Sequence, residues 1–84
     1  MTYSVTILRS AQKQLAKLES QTRNRIASAI YALADNPRPS GCKKLTGRPA
    51  WRIRIGTYRV IYEIQDNELI ILVVTIAHRR EVYR

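Results

Sequence analysis

The sequence predicts an α+β domain in the order β-α-α-β-β-β: a small, mainly antiparallel sheet with a helical hairpin packed on one face. Three observations predict it. Apolar and polar residues alternate with period two near the N-terminus and again after Trp51, two apolar stripes of helical spacing lie between these stretches, and tight-turn signals separate the later strands. At 84 residues the chain reads as a single domain over 1–84 with one core, since a chain this short buries only about 60% of its unfolded surface.

Tyr3, Val5 and Ile7 alternate with Ser4 and Thr6, the pattern of a half-buried strand that ends at Arg9-Ser10. Ser10 is the expected N-cap of a first helix, in which Ala11, Leu15 and Leu18 form one stripe while Lys13 and Lys17 face water. A second helix follows Glu19-Ser20-Gln21-Thr22. Its stripe is Ile26, Ile30 and Leu33, widened by Ala29, and Asn36-Pro37 stops it. Asn36 to Pro49 holds every proline and two of the three glycines and reads as a loop carrying Lys43, Lys44 and Arg48. Three strands close the chain. Ile55-Gly56-Thr57-Tyr58 and Gln65-Asp66-Asn67-Glu68 both look like two-residue turns, and Leu69 to Ala77 is apolar on both faces.

Fifteen Lys and Arg against six Asp and Glu give a formal net charge of +9. Such a charge attracts nucleic acid, ribosomes or an acidic protein. The apolar run at Leu69 to Ala77 is far short of the roughly 20 residues of a membrane span, and no secretory signal opens the chain, so membrane attachment is disfavoured and a cytoplasmic setting is expected. One cysteine, Cys42, and one histidine supply neither an internal disulfide nor a metal-ligand cluster. No metal or other cofactor is expected.

Register turns the pattern into a candidate site. Pairing Ile55 with Tyr58 sets Arg54 opposite Arg59 and Arg52 opposite Ile61, on one face. Trp51, Ile53, Ile55, Tyr58, Val60, Tyr62 and Ile64 then point to the other face, toward the helices. If Gln65 pairs with Glu68, Arg59 meets Val74, and His78 joins the arginine face. Like charges placed opposite one another cost stability, and a polyanion would relieve the repulsion. Cleaving RNA without a metal requires alignment of a 2′-OH, removal of its proton, neutralisation of a phosphorane and protonation of the leaving 5′ oxygen. Arginines can meet the third need. His78 and Tyr83 are the acid/base candidates: His78 has a suitable reference pKa, and neighbouring guanidinium groups would favour an ionised Tyr83. The same residues also admit plain readings: Arg52 and Arg54 as solvated strand positions, His78 as a surface residue, and Tyr83 as packing for the terminus.

Tyr58-Arg59-x-x-Tyr62 and His78-Arg79-Arg80-x-Val82-Tyr83, set after a helical hairpin and a Lys-Leu-Thr-Gly loop, resemble the RelE family of type II toxin–antitoxin toxins over essentially the whole chain. The resemblance implies a RelE-like, microbial-RNase-like fold and a toxin that cleaves mRNA in the ribosomal A site, held inactive by an acidic antitoxin. It implies Arg59 as the phosphate-stabilising residue, Arg79 as the group that assists the leaving oxygen, and Tyr83 as base or stacking residue. Arg52 and Arg54 stand where better-known members carry lysines. Lys43, Lys44, Arg48 and Arg80 would contact RNA backbone. Where many relatives continue into a C-terminal helix this sequence ends at Arg84, so inhibition by moving that helix is not expected. Two other readings remain open: a noncatalytic ParE-like toxin that binds DNA gyrase, and a plain RNA-binding module, which would more typically expose aromatic residues on the sheet for stacking.

Overall fold

The computed structural model describes residues 2–78. Among these the sheet contains β1 (Ser4–Ile7), β2 (Lys43–Lys44), β3 (Trp51–Ile55), β4 (Tyr58–Gln65) and β5 (Ile70–His78), in spatial order β1-β5-β4-β3-β2. β1 runs parallel to β5 and the other neighbours are antiparallel. Helices α1 (Arg9–Ala16) and α2 (Ser20–Ala32) connect β1 to the rest of the sheet, and both contribute to the core on one of its faces. This is the α+β architecture the alternation predicted, with one additional strand.

The additional strand is β2, inside the segment expected to be loop. Leu45 N–H donates to Ala50 O at 2.8 Å and closes a hairpin through Gly47, whose φ is 74°. Lys43 thereby pairs with Arg52 and Lys44 with Trp51. A two-residue strand is too short to show periodicity, which is why the sequence pattern missed it.

The start of α1 also differs from expectation. Leu8, not Ser10, occupies the N-cap, and no side chain caps it. The long-range pairing of β1 sets this boundary. Leu8 N–H donates to Val73 O at 2.9 Å and holds Leu8 extended, and its own carbonyl takes the first helical bond from Gln12 N–H. α2 begins where the Glu19 carboxylate accepts from Thr22 N–H at 3.2 Å, a local cap with the usual N-cap-to-N3 bond made by a longer side chain than the preferred Ser, Thr, Asp or Asn.

The core comprises Ala11, Ile26, Ile30, Leu33, Ile53, Val60, Tyr62, Ile71, Val73 and Ile76, all buried, with Trp51, Ile55, Tyr58 and Ile64 packed partly buried against it. The inward set expected from strands β3 and β4 is thus the observed one. Each fully buried aliphatic side chain contributes about 1.5–3 kcal/mol relative to exposure. Tyr62 is the largest fully buried side chain. Its hydroxyl donates to Pro37 O at 2.7 Å, so burial does not leave a polar atom orphaned and the loop after α2 is tied to the sheet. Burial, and then the Cys42 thiol, push the Tyr62 pKa well above its ordinary value.

Two turns set the register. At the first, Ile55 pairs with Tyr58 around Gly56, whose φ of 60° suits a tight hairpin, and Arg54 faces Arg59 as expected. The second is longer than expected. Gln65 pairs with Ile70 across a 3₁₀ turn, Asp66–Glu68, followed by Leu69 in a left-handed conformation at φ 55°. That change moves the pairing by two residues and leaves every side chain on its expected face. A β-bulge then moves it by one more: Ile61 pairs with Thr75 and Tyr62 with Val73, leaving Val74 without a cross-strand partner in β4. One extra residue exchanges the faces of everything beyond it.

Candidate nucleic-acid interface and active site

On the sheet face away from the helices, the register places Lys43 beside Arg52 and, on the next cross-strand line, Arg54 beside Arg59 and Arg59 beside Ala77, a patch spanning four adjacent strands. Arg52 lies beside Lys43 on one flank and Ile61 on the other; Arg59 lies between Arg54 and Ala77. Arg52 and Arg59 are each only 8% exposed, an unusual degree of burial for guanidinium groups, whereas Arg54 is exposed. Directly opposed residues in an antiparallel pair have Cβ atoms about 4.5–5.5 Å apart, so Arg54 and Arg59 are held in mutual repulsion by the backbone. Burial first, then Arg54 and Arg52, lower the pKa of Arg59 from its ordinary value. Arginine starts so high that the group stays cationic. The arrangement presents fixed, partly desolvated N–H donors to an anion, which suits phosphate and a charge that develops during reaction.

The site residues expected from sequence divide into groups. Arg52, Arg54, Arg59 and Lys43 come together. Lys44 pairs with Trp51 and therefore lies on the helix side of the sheet, so it does not join the wall. Arg48 is exposed in the β2–β3 loop, beyond the paired residues. His78 pairs with Tyr58, not with the arginine face: the two rings meet edge to face at 5.3 Å and 86°. The expectation that alternation puts His78 on the Arg59 face is overturned by the bulge at Val74, and Ala77, not Val74, stands opposite Arg59. Arg79, Arg80 and Tyr83 lie outside the described residues.

Two residues that carried no signal in the sequence shape this region. Gln14, on α1, accepts a hydrogen bond through Oε1 from Ile76 N–H at 2.8 Å. Arg38 sits over the Trp51 ring at 5.1 Å and forms an ion pair with Asp66 at 2.9 Å. Asp66 also accepts from the Tyr3 hydroxyl at 2.7 Å, so one carboxylate joins the residue preceding β1, the loop after α2 and the β4–β5 turn. The bonds from Arg38 and Tyr3 hold its pKa below the usual carboxylate range. Among the described residues no cluster of His, Cys, Asp or Glu could hold a metal ion, and no helix is long and apolar enough to cross a membrane.

The family model described as the ParE toxin of type II toxin–antitoxin systems matches residues 5–83. The chain belongs to this toxin family. It is 27% identical over 81 residues to a putative RelE-like toxin protein of Escherichia coli, covering 94% of this chain and 85% of that one. Among solved structures, the RelE–RelB complex of the archaeon Pyrococcus horikoshii aligns with a TM-score of 0.84 at 29% identity, covering 94% of this chain and 97% of its counterpart. An E. coli RelE variant in complex with a peptide of the antitoxin RelB aligns at 0.80 and 26% identity, covering 99% and 92%. A YoeB/ParE toxin from Agrobacterium tumefaciens shares the fold at 0.76 and 14% identity, covering 89% and 96%. This is therefore a type II toxin of the RelE/ParE superfamily with the RelE-like α+β fold, and its arginine wall lies on the sheet face that the two helices leave open.

Proposed function

We propose that this toxin is a ribosome-dependent endoribonuclease that cleaves mRNA in the A site by attack of a 2′-OH on the adjacent phosphate. The supporting observation is the opposed Arg54–Arg59 pair with buried Arg52 beside it, an array that local sheet energetics disfavour and a phosphorane would stabilise. In the reaction the O2′–P bond forms and the P–O5′ bond breaks, leaving a 2′,3′-cyclic phosphate and a 5′-hydroxyl. Arg59 meets the charge that accumulates on the phosphorane. Arg52, Arg54 and Lys43 grip the backbone, with Arg48 and Arg80 contributing charge. Tyr83 is the proposed base, favoured as phenolate by guanidinium groups, and Arg79 the group that holds the leaving oxygen. His78, placed on the other face with Tyr58, is assigned a packing role. No metal or cofactor is assigned to the reaction.

The toxin is further proposed to act in the cytoplasm and to be held inactive by an acidic antitoxin, as its charge of +9 would favour. Relatives of the same fold were solved in toxin–antitoxin complexes. The second reading, a ParE-like toxin that binds DNA gyrase without cleaving RNA, is favoured by the description of the matching family model. A plain RNA-binding module fits less well, because Trp51, Tyr58 and Tyr62 all belong to the helix side. Brief expression followed by mapping of mRNA 5′ ends separates the two toxin readings. In-frame cuts are expected; intact transcripts with inhibited gyrase would replace the nuclease reading with the second.

A further inference from the structure

β5 has a neighbour on each side for only part of its length. β1 flanks it from Ser4 opposite Ile70 to Ile7 opposite Val73, and the last bond of that ladder is Leu8 N–H to Val73 O, after which the chain turns into α1. Beyond Val73, among the described residues, no strand covers this side of β5. Val74 is bulged, and Val60 pairs with Ile76 on the opposite flank. The Ile76 N–H therefore faces a gap at the sheet edge, where a lost hydrogen bond is costly because the group is part-buried. Gln14 fills that gap with its side-chain carbonyl at 2.8 Å. The same helix also finishes β1, since Gln12 Nε2 donates to Ile7 O at 2.7 Å.

We infer that Gln14 is a positioning residue: by holding Ile76 it sets where the end of β5 lies relative to the arginine wall, and through that it controls the cleavage step. Ile76 is followed by Ala77, which pairs with Arg59. Arg79 and Tyr83 follow in the sequence. The bulge interrupts the β4–β5 ladder between Ile61 and Tyr62, and the bond from α1 to Ile76 N–H is a second constraint on the strand beyond it. Among the described residues Gln14 bonds the β5 backbone at Ile76 and not the arginines of the wall. Its effect passes through the backbone of residues 76 and 77. This inference rests on the nuclease reading for its consequence, while the positioning itself is independent of it.

The test uses Gln14→Met, Gln14→Glu and, as a control on the same helix, Gln12→Met. Gln14→Met removes the carbonyl at similar volume; Gln14→Glu keeps an acceptor at the same atom. In the folded protein, Gln14→Met is expected to speed hydrogen exchange at the Ile76 amide and to shift the Ala77 methyl and Arg59 amide NMR signals, with both changes reversed in Gln14→Glu. On programmed ribosomes, single-turnover cleavage at saturation is expected to fall about 10-fold or more, given that misplacement by about 1 Å can cost 10²-fold. Ribosome affinity should be unchanged, and Gln14→Glu should restore the rate. Gln12→Met should destabilise the fold without altering the saturated rate. If Gln14→Met leaves the Ala77 and Arg59 signals in place, the positioning role is overturned whatever the enzyme does. If those signals move but the saturated rate does not, the control of cleavage is overturned. Absence of cleavage by the wild-type protein would instead refute the nuclease reading and leave the NMR result to judge Gln14.

Discussion

Replacing Arg54 with threonine should make the fold more stable and the toxin weaker. Arg54 is exposed and sits directly opposite Arg59, which is buried and itself near Arg52. A like-charged pair at such a position costs about 0.2–1 kcal/mol, and threonine suits a strand at least as well as arginine. The expected gain is about 0.5 kcal/mol. For a domain of this size, where 1 kcal/mol moves the midpoint by roughly 4–8 °C, Tm should rise by about 2–4 °C. The gain is electrostatic, so it should be largest in dilute buffer and shrink toward 1 M salt, where the screening length is about 3 Å. Thermal melts of the wild type and Arg54→Thr at low and high salt measure it. In parallel, binding of single-stranded RNA should weaken, with its salt slope reduced by about 0.7 if one phosphate contact is lost. A destabilised Arg54→Thr protein at low salt, or a gain that salt does not touch, would refute the idea that the wall is held in repulsion.

Other outcomes follow from the same geometry. Arg59→Ala should lower single-turnover cleavage at saturating ribosomes by about 10²-fold or more, the scale of losing an oxyanion donor, whereas Arg52→Ala should act mainly on binding; equal losses confined to binding would erase the division of labour. Tyr83→Phe should remove most cleavage while leaving ribosome binding intact, and His78→Gln should not; rates of both variants across pH decide between them. Tyr62→Phe breaks the bond to Pro37 O and should cost about 1–3 kcal/mol in denaturant melts by leaving that carbonyl unsatisfied. Asp66 has a folded-state pKa below its unfolded value near 3.9, so its contribution is present above that value and is lost as pH falls through the folded pKa; Asp66→Asn should flatten the acid limb of a Tm-against-pH curve.

The inner faces of β3 and β4 were legible because their alternation is strict and Gly56 fixes the turn between them, so the opposition of Arg54 and Arg59 could be read directly. The far half of the site was not. Residues 70 to 77 are apolar on both faces apart from Thr75, and a run without alternation cannot reveal which residue is extra; the bulge at Val74 therefore left no mark and His78 was assigned to the wrong face. The β4–β5 turn escaped for another reason. Its form depends on Tyr3 and Arg38, 63 and 28 residues away from Asp66, and local turn chemistry contains neither. The start of α1 likewise answers to β5 through Leu8, not to the serine that local capping rules favour.

The most direct test of the arginine wall as an active site is the chemistry of the cut. Purified toxin should cleave mRNA on programmed ribosomes in the presence of a metal chelator, leaving a 2′,3′-cyclic phosphate upstream and a 5′-hydroxyl downstream, with the rate lost in Arg59→Ala. Intact mRNA under these conditions, or a cut that needs a divalent ion and leaves a 5′-phosphate, would contradict it.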